Sequence, residues 1–293
     1  MPIKHEWNGT ILTITSDSGT SSADLKGAKG DDGARGIAGA AGGTCYNVFY
    51  TPTNLLDNSY FLNPINQRGQ ATYTGNVYTI DRWRTYSSTA EVEVNKGYIT
   101  LKTSALLQYL DIKPDITYTA AVKKLDGTIV IASGNFTTGF SSGGIRCAVV
   151  NGYCRFLIDE ALGANGIVWA ALYEGTYTAD TLPEYHYKGY AAELLECQRY
   201  YIKIATQPVN GWCYSWGRIT VFVPLPVKMR TTNPTITPNT TAPYIYVGST
   251  AYSATYGSGT SVDNGIVIYY THEAAINGQC VIPEFAAEIV ADL

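Results

Sequence analysis

Glycine recurs at positions 27, 30, 33, 36, 39 and 42, a strict period of three. Only glycine fits at the axis where three polyproline-II chains meet, so no other feature constrains the chain as much. The plainer alternative is a flexible Gly/Ala linker, but six glycines stand in phase. Lys29 and Asp31 also offer an interchain charge pair. The register therefore predicts a collagen-like triple helix over residues 27–43, with Gly27, Gly30, Gly33, Gly36, Gly39 and Gly42 on the axis. At ~3.1 Å per residue the stalk is roughly 50 Å long.

That stretch contains no proline, so nothing pre-orders its backbone and its ordering entropy is high. Exposed Lys–Asp pairs add only ~0.2–1 kcal/mol each. Such a stalk persists only where neighbouring domains hold three chains at high effective concentration. The expected partner is the chain itself, as a homotrimer.

The flanking sequence reads as β structure. Tyr (24) and Gly (29) are abundant and charged residues are only 15%, a profile suited to Thr/Ser/Tyr-rich strands and turns. Residues 1–26 form a short arm, with an Asn8-Gly9 turn inside an apolar/Thr alternation that signals a hairpin. Residues 44–189 read as short strands in an antiparallel, jelly-roll-like sandwich, with turns at Asp126-Gly127 and Asn151-Gly152. One helix is expected over 190–205, with Leu194, Cys197, Tyr201 and Ile204 on one face. Residues 206–293 return to β as a second domain, with Pro208 and Gly211 at its start. Within it, Gly248 to Gly265 reads as a hairpin or a long exposed loop.

Several classes drop out. A formal charge of −4 argues against nucleic-acid binding, which needs concentrated Lys and Arg. The longest apolar runs fall well short of the ~20 residues that span a bilayer, so no membrane insertion is expected. The first residues lack a signal-peptide pattern. The six cysteines show no metal spacing and read as thiols of a protein folded in a reducing compartment.

Four stretches carry a resemblance. HEWNGTILTITSDSGTSSADLKG, running into the glycine triplets, resembles the N-terminal part of phage tail-fibre proteins of Firmicutes phages. NLLDNSYFLNPINQRGQATYTGNVYTIDRWR (Asn54 to Arg84) looks like the start of a β-sandwich module common in phage tail and receptor-binding proteins. AAELLECQRYY (Ala191 to Tyr201) resembles the end of that module. VPLPVKMRTTNPTIT (Val223 to Thr237) is similar to the start of their C-terminal β domain. The resemblance implies a trimeric tail fibre or receptor-binding protein. It would be folded in the bacterial host cytoplasm and attached to tail or baseplate through residues 1–26. It would bind a host-surface glycan or protein with its C-terminal β domain. The alternatives are a head fibre or surface spacer without receptor binding, and a polysaccharide-depolymerase spike.

No catalytic residue and no cofactor is expected. His5, His186 and His272 are scattered, and no nucleophile elbow, HExxH helix or phosphate loop is present. Acid pairs such as Asp159 with Glu160, or Glu284 with Glu288, read as structural. The residues give no indication for or against a bound metal. The ligand candidates are aromatic. Trp212, Tyr214 and Trp216 would share one face of a strand, where they either bind a ligand or fill a core or trimer seam. Tyr252, Tyr256, Asp263 and Asn264 lie in a Tyr/Ser/Gly/Asn-rich segment of paratope-like composition. Asp81-Arg82-Trp83-Arg84 should hold a packed Trp83 and an ordered Asp81–Arg pair, and Trp169 and Tyr173 should be core.

Overall fold

The computed structural model describes residues 3–25, 52–274 and 276–291. Among the described residues the protein is mainly β, with 52% strand, 5% helix and two helices. It divides into two compact units, Met1–Tyr50 and Thr51–Leu293. The glycine register and the 27–43 stalk lie outside the described residues.

The first unit contains β1 (Lys4–Asn8), β2 (Ile11–Ser16) and β3 (Gly19–Asp24), an antiparallel meander in that order. The Asn8↔Ile11 pair closes the expected turn, where Gly9 has φ +63°. The sheet extends beyond the expected hairpin, with β3 added on β2. The third strand pairs residue for residue with β2, Leu12 with Ala23 and Thr13 with Ser22.

The second unit begins with β4 (Thr72–Thr74), β5 (Arg84–Thr85), β6 (Glu91–Asn95), β7 (Tyr98–Thr103) and β8 (Leu106–Leu110). It continues through β9 (Tyr118–Lys124), β10 (Ile129–Gly134), β11 (Phe140–Ser142), β12 (Ile145–Val150) and β13 (Tyr153–Ile158). The four-residue α1 (Glu160–Gly163) and then β14 (Ile167–Glu174) follow. Two sheets result, ordered β10-β9-β14-β7-β6-β4 and β11-β12-β13-β8-β5. Val92, Ile99 and Leu172 of the first and Leu106, Phe156 and Ile158 of the second share one core. Burial of such side chains stabilises by about 1.5–3 kcal/mol each.

Trp83 sits in that core, edge-on to Phe61 and Phe156, and its indole N–H donates to Asn58 O at 2.9 Å. Asp81 is paired with Arg68 at 3.3 Å, an arginine outside the Asp81–Arg84 stretch. Arg82, at φ +72°, donates to Asp57 Oδ2 at 2.8 Å. Trp169 and Tyr173 are buried as expected.

The helix α2 covers Tyr190–Gln198 and is shorter than the sequence suggests. Tyr201 and Ile204 belong to β15 (Tyr201–Tyr214), where Tyr201 pairs with Val290 and Ile204 with Ala287. The long partner strand captures these residues, and tertiary pairing overrides the helical period. The chain then forms β16 (Arg218–Pro224), β17 (Thr235–Pro238), β18 (Tyr244–Val247), β19 (Thr250–Ser253), β20 (Thr255–Val262), β21 (Gly265–Thr271) and β22 (Gly278–Val290). They form one sheet, β19-β18-β22-β15-β16-β21-β20, with β17 also on β22.

This sheet curls until β20 meets β17, where Tyr256 Oη donates to Ile236 O at 3.1 Å. Cys213, Ile219, Val221, Ile268 and Ile282 fill the enclosed core. Pro208 lies inside β15 and marks no boundary: the register with β22 shifts on either side of Gln207. A proline without an N–H is tolerated at such a bulge. The segment from Gly248 to Gly265 is two strands, β19 on β18 and β20 on β21.

Glu193 of α2 is buried, and its Oε2 accepts the Asn58 backbone N–H at 2.5 Å. Burial raises its carboxyl from the ordinary 4.5 to about 7, against the pull of Lys188 and the Asn58 N–H. A carboxyl with a higher pKa folded than unfolded binds its proton more tightly in the fold. Its contribution is full below pH 4.5 and is lost as pH rises through about 7. The loss is on the order of 3 kcal/mol. Glu193→Gln should flatten the fall in melting temperature across this window, and an unchanged slope in the variant would refute the assignment.

Candidate functional site

The outer face of the curled sheet carries the aromatic cluster. β15 alternates, with Cys213 buried in the core and Trp212 and Tyr214 pointing out. Trp216 is not on this strand. β15 ends at Tyr214, which pairs with Arg218, and Ser215, Trp216 and Gly217 form the connecting turn. Gly217 takes φ +93°, the left-handed residue that a three-residue hairpin loop demands. The Trp216 ring still reaches back to Tyr214, with centroids 5.5 Å apart.

None of these three rings fills the core of the described chain. Trp212 is 42% exposed and Trp216 66%. The ladder places Trp212 between Thr220 of β16 and Gln279 of β22, and it places Val281 between Asn210 and Tyr246. Phe222, 44% exposed, completes the face. Together these residues line a groove of 650 Å³. Beside it, the Arg218 guanidinium lies 3.8 Å from the Tyr269 ring centroid and 5.7 Å from that of Trp216. The arrangement gives flat apolar rings beside amide, hydroxyl and guanidinium groups. It can stack on the C–H faces of a ligand while bonding its hydroxyls or carbonyls.

No known protein family matches the chain, and no curated protein or solved structure matches it.

The structure does not bring the second aromatic group together. Tyr256 is bonded to Ile236 and packs edge-on against Tyr270 at 5.9 Å. Tyr252 lines a separate cleft of 470 Å³ with His272 and Glu273. Asp263 and Asn264 form the β20–β21 turn. There Lys228 bonds the Asp263 carboxylate at 2.5 Å and holds it below the usual carboxylate range. The Asn264 carbonyl accepts the Leu225 N–H at 3.1 Å.

Three acids of the two pairs are engaged in structure. Asp159 pairs with Arg146 at 2.7 Å, Glu160 accepts the Ser104 N–H at 3.2 Å, and Glu288 lies 3.8 Å from Lys203. Among the described residues, no three His, Cys, Asp or Glu side chains are grouped to hold a metal. Cys147, Cys154, Cys197, Cys213 and Cys280 are buried free thiols.

The sequence reading missed Phe222, Tyr246, Arg218 and Gln279. For Phe222 a signal was present: Ile219, Val221 and Val223 alternate as an inward set, which turns residue 222 outward. Tyr246 and Gln279 join the site only through long-range pairing with β22 and β15.

The sheet under the groove is tightly packed. A Cβ on Gly211 would fall 2.8 Å from Thr220 O and 2.9 Å from Val221 Cγ2. Gly211→Ala should therefore cost about 1–3 kcal/mol in chemical denaturation. Trp212→Ala should cost under about 1 kcal/mol, because the ring is half in water. A larger loss for Trp212→Ala than for Gly211→Ala would mean that the ring is structural.

Proposed function

We propose that the chain is a trimeric phage tail-fibre or receptor-binding protein. It attaches to tail or baseplate through residues 1–26 and binds a host-surface glycan or protein through the groove around Trp212. A collagen-like stalk over 27–43 and a jelly-roll-like sandwich over 44–189 carry this C-terminal region, and the molecule works without catalysis. The observation behind the reading is the outward aromatic face. Trp212, Phe222 and Tyr246 stay wet beside Asn210, Thr220 and Gln279, at a place where core residues would be dry. Large exposed apolar patches rimmed by polar groups mark interaction sites.

Affinity then comes from number. Three weak sites on one particle raise apparent affinity ~10²–10⁴-fold without new contacts, so millimolar single-site binding is sufficient. The test is binding of the full chain to a glycan array and to intact Gram-positive cells, read beside Trp212→Ala and Phe222→Ala. Each substitution should reduce bound protein at least about tenfold. Failure of the wild-type chain to bind any surface would make it a spacer. Release of reducing ends from capsule would make it a depolymerase.

A further inference from the structure

The β1–β3 sheet is one layer thick, and its two faces differ sharply. The register puts Trp7, Leu12 and Ala23 in one row and His5, Ile14 and Ser21 in the next, on the same face. The opposite face carries Lys4, Glu6, Asn8, Thr13, Thr15, Ser22 and Asp24, with Ile11. That polar face closes on itself: Thr13 and Ser22 share a hydroxyl bond of 2.9 Å, and Thr20 donates to Thr15 at 3.2 Å. The apolar face has no second layer among the described residues. Trp7 is 59% exposed and Ile14 43%. A sheet with one apolar face must bury it against another element, and three short strands hold no core alone.

We propose that the missing layer is the same face of two further copies of this chain. Three β1–β3 sheets would close as a prism around one axis and hold the chains in register for the stalk. The inference rests on the trimeric reading above and names the surface that assembles. The observation that selects this occupant is the position of the glycine register. The last backbone bond of the sheet is Leu25 N–H to Thr10 O at 2.9 Å, and Lys26 alone separates Leu25 from Gly27. Two residues span at most ~7 Å. If Gly27 lies on a triple-helix axis, three sheets are delivered within that distance of it, and their uncovered faces meet. The charges suit this closure, because Lys4, Glu6 and Asp24 all lie on the other face. No carboxylate or ammonium is then buried unpaired.

The test places single cysteines in the full chain. Ile14→Cys lies on the middle strand of the apolar face, and Thr13→Cys, its neighbour, points the other way. In a Cys45→Ser background, which removes the thiol next to the stalk, mild oxidation of Ile14→Cys should give covalent dimers on a non-reducing gel, while Thr13→Cys and the background chain should not. Leu12→Asp should also raise the concentration at which the trimer dissociates, by at least about tenfold in light scattering. Equal cross-linking at 13 and 14 would overturn the proposal. So would an unlinked Ile14→Cys in a chain that weighs as a trimer, which would assign this face to another component of the particle. A wild-type chain that weighs as a monomer would remove the prism and the trimeric reading together. Loss of surface binding in Trp212→Ala alone bears only on the C-terminal groove.

Discussion

The Thr51–Leu293 unit depends on a buried polar joint between its two cores. Asn58 has its side chain committed three times: Nδ2 donates to Ile65 O at 2.8 Å and Asp81 O at 2.7 Å, and Oδ1 accepts the Ile65 N–H at 2.7 Å. Its backbone N–H goes to Glu193 and its carbonyl to Trp83. A buried amide left unpaired costs about 1–3 kcal/mol per group, so these partners fix one arrangement. From this joint the contacts reach the curled sheet directly. Gln67 Nε2 donates to Tyr201 O at 2.8 Å, and Arg68 lies 3.7 Å from the centroid of the Tyr201 ring. Arg82 lies 3.5 Å from that of Tyr200. The start of β15 is thus positioned by side chains that precede it by more than a hundred residues.

That dependence explains what was legible in the sequence. β17 and β18 follow the β character expected of residues 206–293, because the alternation of exposed and buried residues in each is local. Trp83, flanked by Arg82 and Arg84, was expected to pack because it closes the Asn54 to Arg84 stretch on which the resemblance rests, and it is buried. The end of α2 was not readable. Leu194, Cys197, Tyr201 and Ile204 keep helical spacing, yet the last two are claimed by β22, a strand some eighty residues away. Trp216 fell off the predicted strand for a different reason. Alternation alone does not show where a hairpin turns, and Ser215-Trp216-Gly217 lacks the Asn-Gly signature that marked the first turn.

β15 also shows how one strand serves two purposes. Its inward residues Val209 and Cys213 meet a core that tolerates no added atom near Gly211. Its outward residues Asn210, Trp212 and Tyr214 stay exposed. The packed underside fixes the backbone, and the backbone fixes the spacing of the exposed rings. Preorganisation of this kind matters for a weak site, because little affinity is then lost in ordering the groove when a ligand arrives.

The exposed faces around Trp7 and around Trp212 differ in composition. Around Trp7 the rows hold Leu12, Ala23 and Ile14, with only His5 and Ser21 as polar members. Such a surface gains most from exclusion of water by an equally apolar partner, as in a homo-oligomer core. Around Trp212 polar groups are interleaved with the apolar ones in the ladder: Thr220 and Gln279 beside Trp212, and Asn210 across from Val281. Covering that groove with a purely apolar surface would strand those groups at a cost for each. A ligand rich in hydroxyls or peptide groups would satisfy them while its apolar faces stack on the rings. The chemistry of each face is thus what supports the two proposals, self-association at the N-terminal sheet and recognition of a foreign surface at the C-terminal one.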